Sequence, residues 1–193
     1  MRSGSSSAPF APELREASLW VRHAPLLIFL LALAARLVAW PLSDVVDSDA
    51  VTRALIAERY LERPQWVGDG VWPPLHFYLT AIFIQLCGDR VIGSILLHVL
   101  LGSAIAFPVY AFTRRVADTA VAVGVTLLVV FDPLVFRNSL QGLAGVPFFF
   151  FAACAMNNVA RAGSEHGRSG DRQALYAGSF ITIAAGIRYE AWL

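Results

Sequence analysis

Lysine is absent from this chain, cysteine occurs twice and charge is scarce: of 193 residues, 15% are charged and 57% hydrophobic. Each scarcity excludes something. Cys87 and Cys154 both lie in apolar segments, with no zinc spacing and no disulfide framework, and read as small buried hydrophobes. All 15 basic residues are arginine, and the formal net charge of +1 gives no reason to expect a nucleic-acid partner. The missing lysine fits a GC-rich genome, so the arginines are not each read as chosen for their fork geometry. So little charge across so many apolar residues excludes an ordinary soluble domain, which would alternate apolar and polar faces.

What is abundant is uninterrupted hydrophobic sequence. Val91 to Phe112 runs 22 residues without a charge, Ala24 to Leu42 is broken only by Arg36, and Leu143 to Ala160 carries none. Runs of about 20 apolar residues read as membrane helices. The expected fold is all-α, a polytopic transmembrane bundle with an outer loop carrying short interfacial helices. Five spans are placed at about 24–42, 91–112, 117–136, 143–160 and 174–193. A shorter apolar piece, 73–87, begins with two prolines and reads as interfacial or re-entrant. Residues 1–20, rich in Ser, Ala and Pro, read as a flexible cytoplasmic tail, and 21–193 as one membrane domain. The apolar ending at Trp192-Leu193 suggests a piece of a longer protein.

Arginine distribution sets the expected sidedness, because short basic loops stay cytoplasmic. Arg2, Arg15 and Arg22, then Arg114-Arg115, then Arg161, Arg168 and Arg172 mark three basic stretches. Segment 43–71 is the opposite, with six acids against three arginines. If it lies outside while the basic stretches lie inside, 73–87 does not cross. The acidic segment, the turn from Asp132 to Gly142 and the end at Arg188-Tyr189-Glu190 then share one face.

Acids beside a bilayer are costly and usually mark a site or a pathway. Asp47-Ser48-Asp49 opens a helix expected over 50–62. One of the two acids suits an N-cap, and Asp49 sits four residues before Arg53, a spacing that also fits a solvated ion pair. The chemical alternative is a general base for group transfer. His76, just after Trp72-Pro73-Pro74-Leu75, fits either a phosphate or proton contact or an interfacial hydrogen bond. Asp132 and Arg137 flank a polar break and either pair with each other or, for Arg137, recognise phosphate bidentately. Arg188 and Glu190 pose the same choice. His98 reads as a helix-packing residue.

The ordered set of these features resembles the GT-C superfamily of membrane glycosyltransferases, in its protein mannosyltransferase and aminoarabinose transferase branch. The features are a first span, the acidic Asp47-Ser48-Asp49-Ala50 and Trp72-Pro73-Pro74-Leu75. They continue with Gly88-Asp89-Arg90, a span ending in Arg114-Arg115, the turn to Arg137-Asn138-Ser139, and Arg188-Tyr189-Glu190. The likeness covers roughly residues 20–193, the N-terminal part of such an enzyme. It implies transfer of a sugar from a polyprenyl-phosphate donor to an acceptor hydroxyl at the outer membrane face, with no cofactor; no metal-ligating residue is assigned, and metal dependence stays open. The acceptor class, whether lipid, polysaccharide or protein, stays open. Asp49, slightly favoured by the following Ala50, or Asp47 would be the base. Arg63, Arg137 and Arg188 are candidates to neutralise the lipid phosphate, with His76, Asp132 and Glu190 as further substrate contacts. The setting implied is a bacterial inner membrane with the site facing the periplasm. Relatives often carry an acid after the Arg-Asn-Ser turn. Here 143–148 has none, and Asp132 is the candidate substitute. Two other readings compete: a transporter or lipid flippase, whose charges would line a path at mid-membrane depth, and a non-catalytic membrane fragment.

Overall fold

The computed structural model describes residues 11–43, 47–65, 72–165 and 167–189, with side chains from Arg22 onward. Among them are nine α-helices and no strand: α1 (Ala11–Ala39), α2 (Ser48–Glu62), α3 (Leu75–Cys87), α4 (Arg90–Ala104), α5 (Ala106–Val116), α6 (Thr119–Val130), α7 (Pro133–Gln141), α8 (Gly145–Ser164) and α9 (Arg168–Ala185). A 3-10 turn, Trp40–Leu42, ends α1. The all-α bundle expected from the sequence is what forms.

Boundaries differ from the expectation in instructive places. Helix α1 already begins at Ala11, where the sequence suggests a flexible tail over 1–20. Pro12 falls in its first turn, where a missing N–H costs little, and Glu13 and Glu16 suit a helix N-terminus. The segment 117–136 is not one straight rod. Thr119–Val130 and Pro133–Gln141 meet at a 47° bend, because Asp132 stops α6 and caps α7, accepting from the N–H groups of Leu134 and Val135 at 2.9 and 3.0 Å.

Two helical stretches, Arg22–Leu42 and Arg90–Val116, are long and apolar enough to cross a membrane, and the bent pair makes a third if counted as one span. The sequence suggests five. Helices α8 and α9 have 20 and 18 residues, but Asn157, Asn158 and Arg161 dilute the first and Arg168, Asp171 and Arg172 the start of the second. The 13 residues of α3 reach only about 20 Å, short of a hydrocarbon layer of roughly 30 Å. It folds back on α4 instead, so closely that a Cβ on Gly93 would sit 2.6 Å from the backbone of Ile84.

Three short connections, between α5 and α6, α7 and α8, and α8 and α9, fold the chain back on itself. One end collects Arg114, Arg115 and the α8–α9 loop, where the Nε of Arg115 donates to Asn157 at 3.4 Å. The other end collects α2, α3, the α7–α8 turn and the end of α9. There the N–H of Leu75 donates to the carbonyl of Gly186 at 3.0 Å. A Cβ on Gly186 would meet the Leu75 side chain at 3.1 Å, so glycine permits the approach that carries the chain on to Arg188.

The core between α1, α5, α6 and α8 is apolar, built on Ile28, Ala32, Ile105, Ala106, Val130 and Val146. A second cluster seats α2 on α3 through Ile56, Ala57, Tyr60, Phe77, Ala81 and Ile84. Within α1, Arg36 is wholly buried. Its terminal nitrogens donate to the carbonyls of Ala32 at 3.3 Å and Val130 at 2.7 Å, and its guanidinium lies 4.8 Å from the Phe136 ring. The carbonyl of Val130 is one that the break after α6 leaves without a helical donor, so Arg36 fastens the bend.

Candidate functional site

Helix α2 is amphipathic, with Ala50, Ala54, Ala57 and Tyr60 buried. Its start is fixed by Asp47, the N-cap, whose Oδ1 accepts from the N–H of Asp49 at 2.8 Å. That cap fixes where both acids stand. Four residues on, Arg53 places its guanidinium 4.5 Å from the ring of Trp72, a cation–π contact that ties α2 to the segment leading into α3.

These elements enclose a cavity of about 420 Å3. Asp47, Asp49 and Arg53 of α2, Trp72 and Pro73, Asn138 of α7, Leu143 to Gly145 at the start of α8, and Ile187 to Tyr189 after α9 line it. Two carboxylates and two guanidiniums therefore face one space. Burial holds the Arg53 pKa below its ordinary value. Asp49 pulls it up, Arg188 pushes it down, and Asp47 pulls it up again. Two like charges within each other's field leave a place where an anion is welcome. The N-terminus of α8 at the same wall adds partial positive charge.

The family model for dolichyl-phosphate-mannose-protein mannosyltransferase matches residues 71–193. The chain belongs to this family. No curated protein and no solved structure gives a significant match. The mannosyltransferase-family chain is thus a membrane glycosyltransferase of the GT-C type and an integral membrane protein, and its family implies a lipid-linked sugar donor. The matched stretch contributes Trp72, Asn138, Gly145 and Arg188 to the cavity, while Asp47, Asp49 and Arg53 come from the part before it.

Of the site residues expected from sequence, the fold brings Asp47, Asp49 and Arg188 together. Arg63, His76, Asp132 and Arg137 stand elsewhere. Arg63 is an exposed residue at the end of α2, and Arg137 is exposed on α7 while its neighbour Asn138 faces the cavity. The Asp132 side chain caps α7. Glu190 lies outside the described residues. His76 is fully buried beside His98, Nε2 to Nε2 at 3.0 Å. The His98 Nδ1 is 2.7 Å from the Ser94 carbonyl and must donate to it. With both rings neutral, the His98 Nε2 then accepts from the His76 Nε2–H. The remaining His76 Nδ1 has no partner among the described residues. Burial, then His98 and Arg53, keep the His76 pKa well below its ordinary value. Sequence reasoning missed Arg53 and Asn138 as cavity residues. The visible signals were the four-residue spacing from Asp49 and the position beside Arg137.

A second cavity, of about 280 Å3, also reaches Asp47. The end of α1, α2, α4 and α7 form it, through Trp40, Ser43, Ala50, Val51, Ala54, Val91, Ser94, Ile95, Leu140 and Gln141. Asp47 is common to the two spaces.

Proposed function

We propose that this glycosyltransferase moves a sugar from a polyprenyl-phosphate donor to an acceptor hydroxyl at the outer membrane face, in a bacterial inner membrane. The observation that carries the proposal is the 420 Å3 cavity itself, with acids and arginines placed around one reacting volume. The donor phosphate sits between Arg53 and Arg188, assisted by Asn138 and the start of α8. One carboxylate takes the proton of the acceptor hydroxyl. The acceptor oxygen bonds to the sugar carbon as that carbon's bond to the phosphate oxygen breaks. The electron pair leaves with the lipid phosphate, and the configuration inverts. Arginines positioned at the departing oxygen stabilise its growing charge.

Asp47 is favoured as the base over Asp49. It touches both cavities, whereas Asp49 lines the first and acts on the Arg53 charge. In this reading Asp49 keeps Arg53 in place and ionised. The test is sugar transfer from polyprenyl-phosphate-mannose, the donor type in the family's description, by membranes holding the whole protein. Asp47→Asn should lower the rate about 100- to 10,000-fold while insertion and yield stay unchanged. A double Asp47→Asn, Asp49→Asn variant with full activity would refute the assignment.

A further inference from the structure

The two cavities that share Asp47 have opposite chemistry. The larger carries Arg53 and Arg188, and among the described residues the smaller carries no cation. Its walls are mainly Trp40, Val51, Val91 and other apolar side chains, with Ser43, Ser94 and Gln141 as neutral polar groups. Gln141 is 7% exposed, and its side-chain nitrogen has no acceptor among the described residues. A buried amide that donates to nothing is costly, so Gln141 is a weak point in this wall rather than a group already facing the open space.

The mouth is as telling as the wall. Val51 and Val91, which line it, are 46% and 58% exposed. In a protein with membrane-spanning helices, such an apolar rim opens towards lipid. At about 280 Å3 the space falls at the low end of small-molecule sites, which run about 300–1,000 Å3. That is room for one head group and not for a polymer.

We propose that this smaller cavity is the acceptor subsite, and that it takes a neutral, hydroxyl-bearing head group on an apolar chain, delivered sideways from the bilayer. The inference rests on the reading of the larger cavity as the donor-phosphate site. Asp47, with no cation on this side, repels an anionic acceptor and accepts a hydrogen bond from a hydroxyl. Ser43 and Ser94 are the neutral polar side chains on offer to the rest of the head group, and Trp40 offers its ring as a flat apolar face. The hydroxyl proton passes to Asp47 and its oxygen to the sugar carbon, while the phosphate departs on the far side between the arginines.

The probe is octyl glucoside carrying a diazirine on its alkyl chain, used on the whole protein in phosphatidylcholine nanodiscs. Crosslinks should map to Val51, Val91 and Ile95, and unlabelled octyl glucoside should remove them while dodecyl phosphate does not. Ala54→Phe, which fills the cavity, should cut this labelling at least tenfold. Val91→Gln, at an exposed rim position that folding tolerates, should cut it at least threefold. Both variants should bind undecaprenyl phosphate within twofold of the unaltered protein. Unchanged labelling in both, with undecaprenyl phosphate still bound, overturns the acceptor assignment and leaves the donor reading intact. So does competition by dodecyl phosphate equal to that by octyl glucoside. Competition by a serine-containing peptide but not by octyl glucoside overturns it in favour of a polypeptide acceptor. Failure of the unaltered protein to bind undecaprenyl phosphate removes the donor reading, and this inference with it.

Discussion

Arg36 is sealed from water and Arg53 is partly buried, and they sit in opposite settings. Around Arg36, at the bend between α6 and α7, the neighbours are backbone carbonyls and an aromatic face, and the side chain is sealed at 0% exposure. The negative end of α6 serves as its counter-charge. Around Arg53 stand two carboxylates, a second guanidinium and a cavity. The first charge is held by two backbone carbonyls, with only its Nε lacking a partner among the described residues, and it fastens the fold. The second is gathered with others around a space that the fold leaves open. A transporter would place its charges along a path at mid-membrane depth. Here the charge within the first span is the one that shape has already used, while the cavity charges crowd one end of the bundle.

Exchanging these arginines should therefore break different things. Arg188→Gln, across the cavity from Arg53, should lower sugar transfer about 100- to 1,000-fold, a loss out of proportion to any change in melting temperature; steady-state transfer and a thermal melt on one preparation read both. Arg36→Met should do the reverse. It orphans the Val130 carbonyl, at a cost of about 1–3 kcal/mol, or about 2–4 °C in melting temperature per kcal/mol for a chain of this size. Activity per folded molecule should stay close to normal.

The buried histidines sharpen the contrast at smaller magnitude. The native His76 imidazole takes its proton well below the ordinary value, whereas an unfolded one takes it near pH 6.5. Stability from this group is thus whole above about 6.5 and is lost progressively as the pH falls below it. Melting at pH 7.5 and 5.5 should show the fall, and His76→Gln should flatten it. The smallest effect belongs to Glu58, which pairs with Arg90 at 2.7 Å where both are near half exposed. Glu58→Gln should shift stability by no more than about 1 kcal/mol, read by the same melt, and leave transfer untouched.

Much of this was legible in the sequence, because membrane helices and caps are written locally. The helix after Asp47, the turn at Gly142 and the short α3 all follow from residue spacing and a few polar breaks. Asp47, Asp49 and Arg188 were visible as charges beside apolar runs. Arg53 was not, because its partner across the cavity is 135 positions away (188 − 53) and is delivered by the close passage of Gly186 past Leu75. Arg137 and Asn138 show the same limit. Adjacent in sequence, they point to different places, and helical phase within a nine-residue helix decided which met the cavity. Asp132 was read as a turn-closing partner or a substrate contact, yet two backbone N–H groups claim its carboxylate. His76 looked interfacial because nothing local reveals a partner 22 residues on.

The central claim is that the cavity arginines, and not the exposed ones, receive the lipid phosphate. Undecaprenyl phosphate affinity, measured on Arg53→Gln, Arg188→Gln and on Arg63→Gln, Arg137→Gln double variants, tests it directly. The account predicts at least a tenfold loss in the first pair and no more than a twofold change in the second. Equal losses in both pairs, or a loss confined to the second, would contradict it.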